Sequence, residues 1–204
     1  MDTLYLIRHG STALNESQRY CGSTDCSLSP KGDAQVVLLG DRFTTIPLVR
    51  IVHSPMLRCR ITAKAIATAQ NLPMETIDGL QEINFGDWEG LTFDEAHEKY
   101  PEAASGLLKG NPAFTFPNGE SAVNLHERVS KAFNSVLPIN GPTALVAHGG
   151  TIRVLLIELG LLTFEDAFEF SVDCTGITAI KLDDGAYTLA SPNDTTHLNT
   201  GAES

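Results

Sequence analysis

Two histidines in this chain stand in segments that echo each other. Residues 6–12 read LIRHGST and residues 145–151 read LVAHGGT. Each segment is apolar before its histidine and continues with Gly, a small residue and Thr, so His9 and His148 lie where a buried strand gives way to a loop. Ligands of open α/β sheets bind beyond the carboxyl ends of the strands. We therefore expect the two imidazoles, which can act as nucleophiles or proton carriers, to converge on one crevice.

Two arginines indicate that this crevice holds an anion. Arg8 precedes His9, and Arg58 falls on the inward-facing stripe of a helix predicted to begin at residues 54–55. A buried guanidinium is costly unless an anion lies beside it, and its forked N–H groups match phosphate oxygens. Backbone N–H groups at Gly149 and at the start of the following helix would add donors. Together these groups predict a phosphate site.

The prediction of a shared site depends on the repetition of the segment, because a single His-Gly dipeptide is a weak motif. The remaining histidines have no echoed segment and no neighbouring arginine of this kind. We therefore predict structural or surface roles for His53, His97, His126 and His197.

The elements that must position these residues alternate between strands and helices. Three short apolar runs are typical of buried strands, at residues 4–8, 50–53 and 143–147. Helix starts are predicted at residues 29–30 and 54–55, with an amphipathic helix over 121–137 and an apolar helix over 152–159. This alternation predicts an α/β fold, a three-layer α/β/α arrangement around a mostly parallel sheet.

A chain of 204 residues has the length of one domain, which we expect to span residues 1–204. Residues 176–182 and 186–190 flank an Asp-Asp-Gly turn and predict a β-hairpin. Residues 84–120 are less regular and are predicted to form a lid-like insertion over one end of the sheet. Residues 192–204 are polar and are predicted to be a loose tail.

The charge balance excludes several kinds of partner. Lys and Arg number 14 against 25 Asp and Glu, a net charge of -11. Such a surface repels nucleic acid and anionic membranes, so neither is an expected partner. No apolar stretch approaches the roughly 20 residues of a membrane helix, and residues 1–7 lack a basic signal-peptide start. We expect a cytoplasmic protein whose oligomeric state, a dimer included, stays open.

The cysteines predict neither a metal site nor a disulfide. Cys21, Cys26, Cys59 and Cys174 form no CxxC pair and lie in no His/Cys cluster with zinc-site spacing. In a reducing compartment such residues are ordinary free thiols.

The segment LIRHGSTALN at residues 6–15 resembles the RHG signature of the histidine phosphatase superfamily, which includes the cofactor-dependent phosphoglycerate mutases. Further segments resemble that family in the same order along the chain, at residues 22–32, 54–63, 80–90, 118–121 and 148–150. The resemblance runs from residue 4 to residue 153, about three quarters of the chain. It implies the phosphoglycerate mutase-like fold.

The resemblance also implies roles for individual residues. His9 would attack phosphorus and form a phosphohistidine, with His148 as the second catalytic histidine. Glu82 would be the general acid that protonates the departing alcohol and then the base that activates water. The phosphate would be held by Arg8, Asn15, Arg58, His148 and the N–H of Gly149. Neither a metal nor a cofactor is required.

The implied substrate is a small phosphorylated metabolite. The FGDWEG form of residues 85–90 resembles α-ribazole phosphatases, which remove the 5′-phosphate from α-ribazole 5′-phosphate in cobalamin synthesis. A broad-specificity sugar-phosphate or nucleotide phosphatase is the main alternative. A phosphoglycerate mutase is disfavoured, because residues 91–117 carry two lysines against four acids and would repel a second phosphate. Aromatic candidates for holding the leaving group are Phe85, Trp88, Phe114 and Phe116.

Overall fold

The computed structural model describes residues 2–108 and 114–199, and over these ranges the chain forms one six-stranded sheet. The strands are β1 (Asp2–Arg8), β2 (Arg50–His53), β3 (Glu75–Thr76), β4 (Thr143–Ala147), β5 (Ile177–Asp183) and β6 (Ala186–Asp194). Their order is β3-β2-β4-β1-β5-β6. Strands β3, β2, β4 and β1 are parallel, and β5 runs antiparallel to both of its neighbours. The predicted mostly parallel sheet is confirmed.

The helices of the same ranges connect and cover these strands. They are α1 (Ala13–Glu16), α2 (Pro30–Phe43), α3 (Leu57–Gln70), α4 (Phe93–Lys99), α5 (Pro101–Leu108), α6 (Ala122–Phe133), α7 (Gly149–Glu158) and α8 (Phe164–Glu169). Short 3-10 helices lie at Gly86–Trp88 and Thr196–Leu198. None of the helices in the described ranges is long and apolar enough to cross a membrane.

The two faces of the sheet are buried separately. Successive side chains of a strand point to opposite faces, so Leu6 and Leu145 enter a core shared with α6 and α7. Ile7 and Val146 enter a second core, formed with residues of α2 and α3. All five residues of β4 are buried, as a central parallel strand requires. The fold is therefore the expected three-layer α/β/α arrangement.

Strand register brings the predicted site residues together at the carboxyl ends of the parallel strands. Arg8 pairs with Ala147, and His53 pairs with Val146, so β1, β4 and β2 end at the same level. The N–H of His9 donates to Ala147 O at 3.1 Å. The histidine segments and the segment leading to α3 therefore emerge side by side.

One predicted helix start is displaced by a long-range contact. Helix α2 begins after Ser29, whose hydroxyl accepts from the N–H of Gly32, as predicted. Helix α3 begins at Leu57 rather than at residues 54–55. The Ser54 hydroxyl lies 2.8 Å from His148 Nε2, and the N–H of Leu57 donates instead to Asp25 Oδ1 at 2.7 Å. The Ser54 side chain thus contacts His148 and does not cap helix α3.

The predicted hairpin is present, but the predicted loose tail is wrong for residues 192–199. Asp184 and Gly185 both have positive φ, which suits the tight turn between β5 and β6. Strand β6 continues to Asp194, because an edge strand forms its backbone ladder without needing apolar side chains. The 3-10 helix beyond it packs on α2, and His197 Nε2 lies 3.2 Å from Thr175 Oγ1. Residues 200–204 lie outside the described residues.

The predicted insertion at residues 84–120 contains α4, α5 and a 3-10 helix, and residues 109–113 of it lie outside the described residues. Its inward side chains join the core on the face of α6 and α7. These side chains are Trp88, Ala96, Ala104 and Phe116. The described part of this segment is therefore packed structure that other elements hold in place.

Candidate active site

The two echoed histidines meet beyond the ends of β1 and β4. The ring centroids of His9 and His148 are 5.2 Å apart at an interplanar angle of 61°. His9 is 3% exposed, and His148 and Arg58 are fully buried. Arg58 Nε donates to His148 Nδ1 at 3.3 Å. Two strand ends and the first turn of α3 thus supply one compact cluster.

His9 is arranged as a neutral imidazole with one free nitrogen. Its Nδ1 lies 2.7 Å from Gly10 O, and since a carbonyl only accepts, Nδ1 carries the proton. The lone pair is therefore on Nε2. Burial, then the charges of Arg58 and Arg8, hold the pKa of His9 well below its usual value. An unprotonated ring at neutral pH is what a nucleophile needs.

His148 is also neutral, but both of its nitrogens have protein partners. Because Nδ1 accepts from Arg58, Nε2 carries the hydrogen and donates to the Ser54 hydroxyl at 2.8 Å. Burial, then the charge of Arg58, lower the pKa of His148 well below its usual value. A phosphate oxygen would have to replace Ser54 to receive the donation expected from this ring.

The guanidinium of Arg58 is fixed by a loop. Nη1 donates to Thr24 O and Nη2 donates to Gly22 O, both at 2.8 Å. With the bond from Nε to His148 and a longer one from Nη2 to Cys21 O at 3.5 Å, four of its five N–H groups are engaged, and one stays available for an anion. The loop at residues 22–25 therefore sets the direction in which Arg58 presents its charge.

Arg8 and Asn15 supply the other expected phosphate ligands. Arg8 Nη1 donates to Val172 O at 2.7 Å, while its Nε is buried with no partner among the described residues. Asn15 Oδ1 accepts from the N–H and hydroxyl of Thr12, at 3.1 and 2.9 Å. Because the amide oxygen is engaged, the Asn15 NH₂ is the group left to donate.

Glu82 is held by the segment that follows His148. Its Oε2 accepts from the N–H of Gly150 and its Oε1 from the N–H of Ile83, both at 2.9 Å. A Cβ at Gly150 would lie 2.4 Å from Glu82 Oε1, so only glycine permits this approach. The N–H of Gly149 has no hydrogen-bond partner within the described ranges and borders a cavity. The first turn of α7 thus positions the acid with Gly150 and leaves Gly149 for a ligand.

That cavity has a volume of about 610 Å³ and two chemically different ends. Its polar end is formed by Arg8, Asn15, Glu82 and Gly149. His9 and His148 are chain neighbours of lining residues and form the layer behind this end. Most of the remaining wall is apolar and includes Tyr20, Ile83, Phe85, Phe93, Leu107, Phe114, Phe116, Leu125, Val154, Ile157, Phe164 and Phe168. Its polar members are Gln18, Arg19, His126 and Arg153.

Three of the four aromatic candidates line this cavity, and the fourth does not. Phe85, Phe114 and Phe116 are lining residues. Trp88 is fully buried behind them, with its ring centroid 5.3 Å from those of Tyr20 and Phe116. Its size favours the core over the surface of a pocket, so Trp88 supports the wall without forming it.

Comparison with known proteins identifies the family. Residues 4–195 match the model of the histidine phosphatase superfamily, branch 1. The chain belongs to this superfamily. Phosphoserine phosphatase 1 of Hydrogenobacter thermophilus is 30% identical over 200 residues, which are 97% of this chain and 95% of that protein.

Solved structures share the whole fold of this histidine phosphatase. The α-ribazole phosphatase from Shigella flexneri superposes with a TM-score of 0.85 at 26% identity, covering 94% of this chain and 96% of that one. A mutant phosphoserine phosphatase from Entamoeba histolytica in complex with phosphoserine gives 0.85 at 29%, covering 97% and 100%. The chain is thus a phosphatase, and the substrates named for its relatives differ.

The structure adds residues to this phosphatase site that the sequence did not indicate. Arg153 lines the cavity one turn after Gly149, a four-residue spacing that could have revealed it, and donates to Phe170 O at 3.0 Å. His126 was expected to have a structural or surface role, but it lines the cavity. Its Nε2 lies 3.4 Å from Glu158 Oε2. No local signal distinguishes His126, because only the packing of α6 against α7 brings it there.

Folding stability of this phosphatase should fall as the pH drops below about 6.5. An unfolded histidine has a pKa of roughly 6.5, whereas His9 and His148 are held well below that value in the fold. Between the two values the unfolded chain binds more protons. Each histidine then removes up to about 1.4 kcal/mol of unfolding free energy per pH unit. Urea unfolding in phosphate-free buffer over this pH window measures the slope.

The variant His9→Gln should flatten that slope, because one of the two buried neutral rings is gone. His97 is exposed, so His97→Gln is the matched control and should keep the wild-type slope. A wild-type slope in His9→Gln would show that the His9 ring does not lose its proton on burial.

Proposed function

We propose that this phosphatase transfers the phosphoryl group of a small phosphomonoester to His9 and then to water, and that its substrate is α-ribazole 5′-phosphate. The observation that carries the proposal is a cavity whose cationic end adjoins a neutral histidine and whose remaining wall is largely apolar, with several phenylalanine rings. The first feature suits a phosphate, and the second suits a flat apolar leaving group.

In the first displacement, the Nε2 lone pair of His9 forms a bond to phosphorus while the bond to the alcohol oxygen breaks. Charge in this transition state is spread over three equatorial oxygens. Arg8 and Arg58 carry permanent positive charges near the ring, and Asn15 and Gly149 offer N–H groups at the cavity. Fixed donors of this kind stabilise the transition state without having to reorganise.

Glu82 handles the proton in both steps. Its carboxyl group borders the cavity and is oriented by Gly150, within the same segment as His148. As an acid it would give its proton to the leaving alcohol, and as a base it would take one from the water that attacks the phosphohistidine. Proton transfer by a positioned group accelerates such a step about 10²–10⁴-fold.

The wall of the cavity supports α-ribazole 5′-phosphate over smaller polar esters. A volume of about 610 Å³ lies in the range of small-molecule sites. The benzimidazole of α-ribazole is flat and apolar, and aromatic contacts contribute about 0.5–1.5 kcal/mol beyond the area they bury. Phosphoserine has no apolar ring and would leave most of this wall without a contact.

Phosphoserine is the second candidate, because one observation favours it. Arg153 lines the cavity, and no carboxylate of the described residues lies within ion-pair distance of it. The carboxylate of phosphoserine could pair with this guanidinium. A mutase reaction is less well supported, since Lys99 of the acidic segment packs on Tyr100 and does not line the cavity.

Phosphate release from a panel of esters tests the substrate. We expect kcat/KM for α-ribazole 5′-phosphate to exceed that for phosphoserine, 3-phosphoglycerate, fructose bisphosphates and nucleoside monophosphates by about tenfold or more, because its flat ring is apolar whereas the other esters carry no ring of this kind or a more polar base. A preference for phosphoserine would replace the proposed substrate with the second candidate. An even spread of activity would indicate a broad-specificity phosphatase.

A variant of the wall sharpens this test. Phe168 lines the cavity yet is 63% exposed, so Phe168→Ala should leave the fold intact. It should lower kcat/KM for α-ribazole 5′-phosphate about three- to tenfold, matching one lost aromatic contact, and leave phosphoserine hydrolysis unchanged. Val37 is 62% exposed on α2, away from the cavity, and Val37→Ala is the matched control. Equal losses on both substrates would contradict the role given to the wall.

A further inference from the structure

Two thiols lie next to each other at the edge of the active site. Cys21 Sγ and Cys26 Sγ are 3.4 Å apart, and both residues are free cysteines. Cys21 is buried and lines the cavity, whereas Cys26 is partly exposed. Cys59 and Cys174 have no cysteine sulfur within hydrogen-bonding distance among the described residues. The pair is therefore distinct among the thiols of this chain.

The residues between these thiols form the loop that fixes Arg58. The carbonyls of Gly22 and Thr24 each accept from its guanidinium at 2.8 Å. On the other side, Glu89 accepts from the N–H groups of Gly22, Ser23 and Thr24 at 2.8–3.3 Å. Burial opposes ionisation of Glu89, but the hydrogen bonds from Thr24, Ser23 and Gly22 outweigh it and lower the pKa. A charged carboxylate thus ties the loop down.

The loop also holds the helix that carries Arg58. Asp25 Oδ1 accepts from the N–H of Leu57, the first residue of α3, at 2.7 Å. Arg58 is the next residue. A change in the spacing of Cys21 and Cys26 would therefore act on both the guanidinium and the backbone of Arg58.

We propose that Cys21 and Cys26 form a reversible disulfide when the protein meets a hydroperoxide, and that this bond switches off the phosphatase by displacing Arg58. The effect on activity rests on the phosphate-binding role proposed for Arg58. Formation of the bond itself rests only on the position of the two thiols.

The chemistry balances with one peroxide for each bond. The Cys26 sulfur, which solvent reaches more readily, attacks one oxygen of hydrogen peroxide and becomes a sulfenic acid as the O–O bond breaks; the departing hydroxide takes the Cys26 proton and leaves as one water. The Cys21 sulfur then attacks the Cys26 sulfur, expelling the hydroxyl, which takes the Cys21 proton and leaves as a second water. Two thiols are oxidised and one hydroperoxide is reduced. A dithiol reductant reverses the bond by thiol–disulfide exchange.

The order of these steps follows from burial. Burial is the largest influence on Cys21 and raises its pKa to about 12, although the charge of Arg58 opposes the shift. The nucleophile in peroxide chemistry is the thiolate, so the first attack falls to Cys26. The same reasoning keeps Cys59 inert, because complete burial raises the pKa of its thiol.

The expected loss of activity follows from the distance to be closed. Disulfide sulfurs lie about 2.05 Å apart, so the two sulfurs must approach by roughly 1.4 Å from their separation of 3.4 Å. The loop between them must move or be locked in a new shape, and Arg58 moves with it. A displacement of about 1 Å at a catalytic group can cost about 10²-fold in rate.

The test follows the bond and the activity separately. The full-length protein is treated with hydrogen peroxide, alkylated and digested with trypsin, which should release residues 20–31 with both thiols and no other cysteine. We expect this peptide to lose the mass of two hydrogens. The rate of p-nitrophenyl phosphate hydrolysis should fall as the bridged fraction rises, by about 10- to 100-fold for the fully bridged protein. Dithiothreitol should restore both.

Two variants identify the bond responsible. Cys26→Ser should form no bridge and should keep its activity under the same peroxide treatment. Cys174→Ser, which removes another partly buried thiol, should respond as the wild type does. Inactivation of Cys26→Ser, a bridged protein with full activity, or no bridge at all would each overturn the proposal. Because p-nitrophenyl phosphate is used, a wrong assignment of α-ribazole 5′-phosphate would leave these results unaffected.

Discussion

The variant His9→Ala should lose phosphatase activity, with kcat falling by about 10⁴-fold or more on every phosphomonoester. The Nε2 of His9 is the free nitrogen of a neutral ring, kept neutral by burial and by two arginines. Alanine offers no atom that can hold the phosphoryl group, so water would have to attack the ester directly. Initial rates of phosphate release on p-nitrophenyl phosphate and on α-ribazole 5′-phosphate measure the loss.

Three further measurements isolate the role of His9. Circular dichroism and Tm should show that His9→Ala is folded, and His97→Ala, at an exposed histidine, should keep its activity. When the wild type is mixed with labelled substrate and the reaction is stopped without acid, the protein should retain a labelled phosphohistidine. The His9→Ala variant should lack it. Wild-type rates in His9→Ala would mean that another group is the nucleophile.

The variant Glu82→Gln should lower kcat on alkyl phosphomonoesters by about 10²–10⁴-fold. A glutamine oxygen can still accept from the N–H of Gly150, while the bond from the N–H of Ile83 is lost; the size of the side chain is kept and the exchangeable proton is removed. p-Nitrophenolate leaves without protonation, so its release in the first turnover should be nearly normal. Water activation should still be slow, and a burst of one p-nitrophenolate per enzyme should therefore precede a slow steady rate.

The burst separates the two duties of Glu82 from a general disturbance of the site. Glu75→Gln is the matched control, because Glu75 is an exposed partner of Arg50 at the other edge of the sheet, and such pairs contribute little. Its kinetics should equal those of the wild type. Equal losses on alkyl and p-nitrophenyl esters, without a burst, would contradict the acid and base roles.

Local features of the chain were sufficient to predict the scaffold. Strand and helix signals depend on near neighbours, namely apolar runs, a Ser-Pro helix start and an Asp-Gly turn, and the elements lie where those signals are, except that α3 begins at Leu57 instead of residues 54–55. The echoed segments placed His9 and His148 at strand ends, and parallel pairing then brings such ends together. The end of the site proposed to bind phosphate was therefore predictable from residue type and spacing.

Only the tertiary structure decided what surrounds those residues, because these contacts join distant parts of the chain. Gly150 meets Glu82, 68 residues away, and no local pattern links them. His126 enters the cavity through the packing of α6 on α7, and Trp88 leaves it for the core. Likewise, residues 192–194 belong to the backbone ladder of β6 and the 3-10 helix at Thr196–Leu198 packs on α2, although their polar side chains give no sign of either.

The sequence by itself thus determined that a histidine follows β1 and another follows β4, since a His-Gly pair after an apolar strand is a local pattern. The tertiary structure decided the shape of the cavity proposed for the leaving group. It also decided the hydrogen bonds by which the loop at residues 22–25 orients Arg58. Both depend on side chains that are far apart along the chain and become neighbours only when the sheet and its covering helices have packed.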